Sequence, residues 1–300
     1  MDERAPAFRT KTLEPLRRDG RLVNAMSVDV EDYFQVQALS DAIRPEDWEH
    51  QPRRVEANTN HILELFARHD VKATFFTLGW IAERHPSLVR RIVAEGHELA
   101  SHGSEHRRAD AQDAETFRED IRRSKKVLED IGGVAVRGYR APTFSIGDRN
   151  LWAFDILSAE GYAYSSSVYP VRRDYYGMPG APRFAFFPLD GQPLEEYPIT
   201  TVRLGRHNLP SGGGGFFRLL PYALSRAAIA QVNRTDRQAA IFYFHPWELD
   251  TLQPRVKPLG FKSRFRHYLN LDKMAERLER LVTDFAWDRM DRVFRPGIQS

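Results

Sequence analysis

The sequence contains no cysteine, and this absence excludes several kinds of chemistry. With no cysteine among its 300 residues, the chain has no disulfide, no cysteine nucleophile and no zinc–thiolate site. A metal ion in this protein would therefore be held by histidine and carboxylate side chains.

Long apolar runs are missing as well. The longest uninterrupted apolar stretches fall far short of the roughly 18 residues that a transmembrane helix needs. The N-terminal segment MDERAPAFRTKTLEPLRRDG carries charges at both ends and has no apolar central region, so it does not resemble a secretory signal. We therefore expect no membrane span and a cytoplasmic location.

Neither sign of charge dominates the composition. The chain has 44 basic and 41 acidic residues and a formal net charge of +3. The basic residues are scattered along the chain rather than gathered into a stripe, so a nucleic-acid partner is not indicated. Hydrophobic residues make up 42% of the chain and charged residues 28%, which is ordinary for a globular protein.

What the sequence does contain, from Val23 onward, is an alternation of strand-like and helix-like segments. The strand candidates are LVNAMSVDV, VKATFFTL, HELASH and GVAVRGYR, and the intervening helix candidates cover 55–69, 86–95 and about 113–131. Strands separated by helices of this length indicate βαβ units and a mostly parallel sheet. We predict an irregular (β/α) barrel, in which the chemistry lies at the C-terminal ends of the strands.

The segment 165–215 interrupts this alternation. It is rich in proline, glycine and aromatic residues and ends in SGGGGFF, a glycine run typical of a flexible linker or of close backbone approach to a ligand. Because strand-like sequence resumes at AIFYFH, we favour a loop within one domain. The predicted organisation is an N-terminal extension over 1–22 and a single barrel over 23–300, with a C-terminal helical elaboration.

Three carboxylates crowd the end of the first predicted strand. The stretch MSVDVEDYFQV places Asp29, Glu31 and Asp32 directly after an apolar run. Like charges about 4 Å apart repel by roughly 1 kcal/mol in water and by more near an apolar wall. The cluster is therefore either a solvated acidic loop or a cation site in which one carboxylate binds metal and a neighbour acts as a base.

Further polar candidates follow other predicted strands. His102 and His106 in ASHGSEH are four residues apart, a spacing that places both imidazoles on one side of a helical turn, within reach of one cation. With the acidic cluster they form an Asp/Glu-His-His set that leaves coordination positions open. Arg140 and His245 end two other strands. Each alone is commonly a surface or core residue, but all these candidates fall at strand C-termini.

The motifs SVDVED, HGSEH, RAPTF and FYFH together resemble, in order, those of the NodB-homology polysaccharide deacetylases, carbohydrate esterase family 4. DVEDYFQV, GGGGFFRLLPY, HPWELDTLQPR and RFRHYLNLD resemble the subfamily that accompanies exosortase and PEP-CTERM exopolysaccharide clusters. The resemblance spans about Ala25 to Leu281. It implies a NodB-type (β/α) barrel and metal-dependent N-deacetylation of an acetamido sugar in an exopolysaccharide or its precursor, with release of acetate.

The resemblance also implies the catalytic roles. Asp29 matches the general base and Arg140 the arginine that orients it, while His245 matches the general acid. The expected partner is an N-acetylated polysaccharide or oligosaccharide.

The implied cofactor is a divalent metal, with zinc as the default for these ligand types. His102 and His106 match the metal-binding histidines, and the metal carboxylate is either Glu31 or Asp32. Glu31 shares a face with Asp29 along an extended strand, whereas Asp32 is the ligand if the chain turns there.

Substrate contacts are expected from Pro142 and Phe144 of RAPTF and from Trp247. Other aromatic residues, Tyr169, Tyr175 and Phe216, either floor a sugar groove or belong to the core. The sequence departs from the family pattern at Gly103, where many members have Ser or Thr, and at Ser165, where related sequences often carry an acid.

Two other functions are compatible with the same barrel. Allantoinase-like proteins share the fold, which makes hydrolysis of a non-sugar amide or cyclic ureide one alternative. A catalytically silent carbohydrate-binding barrel is the other. The presence of both Asp29 and His245 favours an enzyme, because binding alone needs no base and acid.

Overall fold

The structure of the protein is a computed structural model that describes residues 8–173 and 176–295. Its strands are β1 (Arg9–Thr10), β2 (Arg17–Arg18), β3 (Arg21–Val30), β4 (Thr74–Thr77), β5 (Glu98–Ser101), β6 (Gly138–Tyr139), β7 (Tyr164–Ser165), β8 (Phe186–Phe187), β9 (Glu195–Glu196), β10 (Thr201–Leu204), β11 (His207–Pro210), β12 (Ile241–Phe244) and β13 (Ala286–Asp288). Its helices are α1 (Val55–Arg68), α2 (Gly79–Arg84), α3 (Pro86–Ala94), α4 (Ala114–Gly132), α5 (Trp152–Ala159), α6 (Gly214–Leu219), α7 (Tyr222–Gln231), α8 (Phe261–Tyr268), α9 (Met274–Asp284) and α10 (Met290–Phe294).

A mostly parallel sheet forms the centre of the fold, as predicted. The strands β9, β7, β6, β5, β4, β3 and β12 lie side by side in that order and all pair in parallel. The edge beyond β9 is antiparallel, with β8 on β9 and β1 on β8. The strand predicted in GVAVRGYR is shorter than expected, since only Gly138 and Tyr139 pair with its neighbours.

The sheet curls around a hydrophobic core of its own. Tyr164 on β7 packs against Tyr197 with ring centroids 5.1 Å apart, and Tyr197 stacks on Phe294 of α10 at 4.6 Å. Val23 and Ala25 of β3 belong to the same buried cluster. The curled sheet confirms the prediction of an irregular (β/α) barrel.

The alternation along β3 decides which of its residues face the barrel interior. Met26, Val28 and Val30 pack in the outer cluster beneath the helices, whereas Val23 and Ala25 pack inside. Because successive strand residues point to opposite faces, the inward set continues through residues 27 and 29. Asp29 therefore reaches the interior at the C-terminal mouth of the barrel.

The side of the barrel at β12 is closed by the glycine-rich segment rather than by a paired strand. The amide of Ile241 donates to Thr200 Oγ1 at 2.6 Å, and the amide of Tyr243 donates to the carbonyl of Gly212 at 2.8 Å. A Cβ on Gly213 would lie 2.6 Å from the Tyr243 ring. The glycine run is therefore a packed part of the barrel wall, and its close approach is to the protein itself.

The helices cover the outside of the barrel. The predicted helices are confirmed as α1, α3 and α4, and α4 buries Phe117, Ile121 and Leu128 on one face. Asp113 caps the start of α4, and Gly133 ends it with a φ of 67°, as helix-terminal residues of these types do. Within the described ranges, no helix combines the length and the apolar character needed to cross a membrane.

The described part of the predicted N-terminal extension packs onto the barrel. Strand β1 pairs with β8, and β2 pairs with the start of β3. Phe8 packs on Phe186 with ring centroids 4.7 Å apart, and Leu13 and Leu16 pack against the interior cluster. Residues 8–22 therefore contribute two strands and apolar contacts to the fold.

Candidate active site

The polar residues singled out in the sequence meet at one end of the barrel. Asp29 is the second-last residue of β3, His102 follows β5, Arg140 follows β6 and His245 follows β12. These strands are parallel neighbours in the sheet, so their C-terminal ends open at the same mouth. The sheet topology thus brings together residues that lie more than 200 positions apart.

Asp29 is held by a buried arginine. Arg140 Nη1 lies 2.6 Å from Asp29 Oδ1, and the guanidinium also donates to Ser27 Oγ at 2.9 Å and to Ser166 Oγ at 3.1 Å. The ring of Phe76 supports the guanidinium from below at 4.0 Å. These contacts hold Asp29 in one orientation. Its second oxygen, Oδ2, faces His245 and lies 3.9 Å from Nε2 of that residue.

Glu31 and the two histidines form a compact donor cluster. Ligand atoms of Glu31, His102 and His106 all lie within 4.8 Å of one another, and His106 Nε2 is 2.7 Å from Glu31 Oε2. Burial by itself would raise the pKa of Glu31, but the imidazoles of His106 and His245 outweigh it and lower that pKa to about 2. Glu31 is therefore a buried carboxylate at neutral pH.

His102 has the protonation and tautomer that a metal ligand requires. Its Nδ1 lies 2.8 Å from the carbonyl oxygen of Arg140; because a carbonyl only accepts, Nδ1 carries the proton and Nε2 carries the lone pair. Burial lowers the pKa of His102 to about 4, against the opposing charges of Asp29 and Glu31. Together with the His106 imidazole and the Glu31 carboxylate, this lone pair fits a divalent cation.

The prediction of a helical turn between the two histidines is wrong. Residues 102–106 form a loop in which Gly103 and His106 both have positive φ, 80° and 54°. The Gly103 carbonyl accepts from Ser124 Oγ at 3.0 Å, and a Cβ on Gly103 would lie 2.8 Å from Asp120 Oδ2. The histidines converge because two left-handed residues bend the loop, and a side chain at position 103 would be too close to the Asp120 carboxylate.

Asp32 does not join the donor cluster. Its Oδ1 accepts from the amide of Tyr33 at 2.9 Å, and its Oδ2 accepts from the amides of Arg54 and Val55 at 2.6 and 2.9 Å. The chain does turn after Glu31, but the turn brings Asp32 to the start of a short 3₁₀ helix. Of the two carboxylates left open by the sequence, the structure places Glu31 beside the histidines and Asp32 on backbone amides.

His245 faces both active-site carboxylates. Its Nε2 lies 3.5 Å from Glu31 Oε1, and its Nδ1 lies 3.1 Å from Glu248 Oε2. Burial alone would lower the pKa of His245, but Glu31 and Glu248 outweigh it and raise that pKa to about 9. The imidazole therefore carries a proton on Nε2 that points toward the centre of the site.

Trp247 packs beneath the site and is largely buried. It is 6% exposed, its Nε1 donates to Glu31 Oε1 at 3.2 Å, and its ring stacks between those of His245 and His267. The indole therefore packs in the core and contacts Glu31, and a direct sugar contact at Trp247 stays a prediction.

The other residues expected to contact substrate are either buried or part of a cavity wall. Pro142 and Tyr169 are buried, Phe144 forms part of the wall of a cavity of about 540 Å³, and Phe216 is half-buried in the wall of another. Tyr175 lies outside the described residues. Phe144 and Phe216 therefore reach a cavity, and a sugar contact at Pro142 stays a prediction.

Comparison with known proteins identifies the central part of the chain. The family model described as "Polysaccharide deacetylase" matches residues 47–163, a segment that includes His102, His106 and Arg140. The chain contains a polysaccharide deacetylase domain. A second model, "Domain of unknown function (DUF3473)", matches residues 166–295 and includes His245. The deacetylase domain and the DUF3473 segment therefore build one site together, with Asp29 and Glu31 lying before both matches.

Curated relatives match this domain over short stretches. A peptidoglycan-N-acetylglucosamine deacetylase of Bacillus cereus is 35% identical over 96 residues, which is 32% of this chain and 35% of the relative. A chitooligosaccharide deacetylase of Rhizobium leguminosarum bv. trifolii is 41% identical over 70 residues, 23% of this chain and 33% of the relative. The chain thus spans about a third of the length of these relatives.

A solved structure shares the whole fold. The crystal structure of a Mycobacterium smegmatis protein assigned to the polysaccharide deacetylases has a TM-score of 0.60 and 19% identity, and it covers 95% of this chain and 93% of its own. This similarity concerns the fold of the deacetylase barrel together with the DUF3473 segment.

Two residues of the site, Glu248 and Arg218, were not predicted from the sequence. Both lie outside the segment that matches the polysaccharide deacetylase model. Glu248 is buried, accepts from the amide of His245 at 3.0 Å and pairs with Arg218 Nε at 2.8 Å. Burial would raise the pKa of Glu248, but Arg218 and His245 lower it to about 2. The glutamate three residues after His245, at the start of a short helix, is the local signal for such a capping contact. Nothing local indicates Arg218.

A buried acid also lies next to Ser165, where related sequences often carry one. Glu196 is the register partner of Ser165 on the neighbouring strand β9. Its Oε1 accepts from the amides of Ser167 and Val168 at 2.8 and 2.9 Å, and burial raises its pKa to about 7. The adjacent strand therefore supplies the carboxyl group that Ser165 itself lacks.

Proposed function

We propose that this protein is a metal-dependent N-deacetylase that hydrolyses the acetamido group of a sugar in an exopolysaccharide or its precursor and releases acetate. The observation that carries the proposal is the position of His245 Nε2, within 4 Å of both Asp29 and Glu31, beside the donor cluster of Glu31, His102 and His106. The similarity to a peptidoglycan-N-acetylglucosamine deacetylase and a chitooligosaccharide deacetylase supports an acetamido sugar as substrate.

A divalent cation would be held by Glu31, His102 and His106, and zinc is our choice for two imidazoles and one carboxylate. When bound, it would supply Lewis-acid polarisation of the acetamide carbonyl and would acidify water. The neutral state of His102 and the ionised state of Glu31 suit this role.

Asp29 is the proposed general base. Arg140 occupies Oδ1 at 2.6 Å, so Oδ2 is the oxygen that takes the proton from the attacking water. The buried guanidinium prevents the carboxylate from rotating, so that the base is oriented before substrate binds.

His245 is the proposed general acid. Amines are too basic to leave as anions, so the C–N bond breaks only when the nitrogen is protonated. The proton on His245 Nε2 serves this purpose. The contact of Nδ1 with Glu248 at 3.1 Å holds the ring in one orientation. We include in the proposal that residues 23–300 act as one catalytic domain with an extension over 1–22.

The test is acetate release by the purified metal-loaded protein from N-acetylated oligosaccharides and peptidoglycan fragments, with allantoin as the non-sugar arm. We expect acetate from an acetamido sugar, and Asp29→Asn should lower kcat roughly 100- to 10,000-fold with unchanged metal content. Glu31→Gln should lose the metal, whereas Asp32→Asn, its matched neighbour, should retain it.

Two outcomes contradict the proposal. One is a stoichiometrically metallated protein that releases no acetate from any N-acetylated sugar. The other is hydrolysis of allantoin alone. Metal loss in Asp32→Asn but not in Glu31→Gln would exchange the roles of the two carboxylates.

A further inference from the structure

A cavity of about 470 Å³ lies beside the active site. Tyr243 forms part of its wall, and the Tyr243 ring lies 5.8 Å from that of His245. The same ring packs on Phe144 at 4.7 Å, and Arg140 lies 5.6 Å beneath it. A saccharide in this cavity would therefore be next to the sugar whose acetamido group reaches Asp29 and His245.

The walls of this cavity combine aromatic rings with positive charge. Three arginines line it, Arg172, Arg173 and Arg266, and no acidic residue is among the described residues that form its walls. The Arg173 guanidinium lies 5.0 Å over the Phe216 ring. Asp174, which follows in the sequence, lies outside the described residues.

Two of the arginines converge on one aromatic residue. Burial raises the pKa of Tyr176, and the charges of Arg173 and Arg266 both act in the opposite direction. The two guanidiniums thus lie near the same side chain, although Arg173 and Arg266 are separated by more than 90 positions in the chain. Guanidinium groups gathered in this way bind carboxylates and phosphates through paired N–H donors.

A neighbouring cavity has a different charge. The cavity of about 540 Å³ shares Arg173 and Tyr176 with the first, so the two adjoin. In its wall, however, Arg108 is paired with Asp110 at 2.7 Å, and Asp148 adds a further carboxylate. Arg149 lies in that wall as well, so three arginines there are balanced by two carboxylates, whereas the three arginines of the cavity beside Tyr243 have no acidic counterpart among the described residues of its wall. The excess of positive charge is therefore larger in the cavity beside Tyr243.

We propose that the cavity beside Tyr243 binds an anionic sugar unit of the substrate, one that carries a carboxylate or a phosphate, adjacent to the acetamido sugar being hydrolysed. The inference rests on the proposed deacetylase function and adds to it the charge of the substrate. The aromatic rings offer apolar faces to the sugar, and the three arginines recognise its anion.

Matched substrate pairs test this inference. The first pair is an oligosaccharide in which N-acetylglucosamine alternates with glucuronate, and the same oligosaccharide after reduction of its carboxyl groups to alcohols. The second is N-acetylchitotriose with and without a 1-phosphate. We expect kcat/KM to favour the anionic member of at least one pair by roughly 5- to 20-fold at low salt, and the preference to shrink as NaCl screens the charges.

Charge-matched variants connect the preference to the cavity. In Arg173→Gln/Arg266→Gln the anionic-to-neutral ratio of kcat/KM should approach one. In Arg68→Gln/Arg226→Gln, which removes the same charge from two exposed helical sites with side chains 56% and 61% exposed, the ratio should stay at the wild-type value. Which pair shows the preference distinguishes a uronate from a phosphate.

Binding constants provide a readout that does not depend on turnover. The Asp29→Asn variant should bind the anionic oligosaccharide more tightly than its neutral partner by the same factor in calorimetry. Equal affinities and equal kcat/KM within both pairs, or a preference that survives in Arg173→Gln/Arg266→Gln, would overturn the inference. If anionic oligosaccharides bind selectively but no acetate is released, the cavity assignment stands and the deacetylase proposal fails.

Discussion

At the scale of single residues, the site depends on how His245 is held. Glu248 accepts from both the amide and Nδ1 of His245, at 3.0 and 3.1 Å, and its other oxygen pairs with Arg218. Arg218 in turn donates to the carbonyls of Arg266 and His267 at 3.1 Å each. A chain of buried contacts therefore runs from the proposed acid to helix α8.

We expect Glu248→Gln to lower kcat by roughly 10- to 100-fold, as loss of an orienting partner commonly does, with a smaller change in KM. Loss of the negative charge lowers the pKa of His245 from its raised value of about 9, so the alkaline limb of the pH–rate profile should move to lower pH. Hydrolysis of an aryl acetate ester, whose leaving group needs no proton, should be largely spared.

Controls separate orientation from folding. Glu279→Gln, a substitution at an exposed position, should leave kcat and the pH profile unchanged. Glu248→Gln/Arg218→Met removes both partners of the buried pair, so that no unpaired charge remains to destabilise the fold. If Glu248→Gln lost ester and amide hydrolysis equally, without a shift of the alkaline limb, Glu248 would have only a structural role.

At the scale of elements, the start of helix α6 packs closely against the Glu248 carboxylate. A Cβ on Gly214 would overlap the Glu248 carboxylate, whereas a Cβ on the next residue, Gly215, would meet nothing within 4 Å. The glycines of this run are therefore not equivalent. The first of the two is needed for close packing, and the second is a glycine in a helix, where alanine is more favourable by about 1 kcal/mol.

We expect Gly214→Ala to lower the free energy of unfolding by roughly 1–3 kcal/mol, the usual cost of overpacking, and to reduce kcat because Glu248 is displaced. Gly215→Ala should keep or slightly raise the melting temperature. Thermal unfolding of the two variants and of the wild type decides the matter. Equal melting temperatures in the two variants would contradict the packing of Gly214 against Glu248.

At the scale of the whole molecule, the barrel also holds a buried carboxyl group at the end opposite the site. Glu98 begins β5, at the end away from the site, where it accepts from Tyr164 OH at 2.9 Å and from the amide of Asp291 at 3.2 Å. Burial and the nearby Asp291 raise its pKa to about 7. This carboxyl group is therefore more easily protonated in the folded protein than in the unfolded chain.

The sign of the resulting pH dependence follows from this difference. A group with a raised folded-state pKa contributes stability that is present below its unfolded pKa, near 4.5, and lost as the pH rises through about 7. We expect Glu98→Gln to melt higher than the wild type at pH 8, by roughly 1–3 kcal/mol in the free energy of unfolding, and to gain much less at pH 5. Calorimetry at both pH values measures these free energies of unfolding. Glu119→Gln, a substitution at an exposed position, is the control. The same gain at both pH values would contradict a raised pKa.

Much of this architecture follows from local patterns. The apolar periodicities of two and 3.6 residues identified β3, α1 and α4 before their packing was known, because they reflect which side of each element is buried. The alternation along β3 already places Asp29 on the same face as Val23 and Ala25. The order of the motifs indicated a deacetylase barrel, which the family model for residues 47–163 confirms, and the absence of cysteine restricted any metal site to histidine and carboxylate.

Only the tertiary structure decided which side chains meet. Nothing local separates Glu31 from Asp32 as neighbours of the histidines, because the choice depends on the amides of Arg54 and Val55 that capture Asp32. Likewise the contact of Arg218 with Glu248 bridges 30 positions. Periodicity reports on the burial of a segment, whereas a contact between distant segments depends on the register and curvature of the sheet that carries them, and these are set by the packing of the whole barrel.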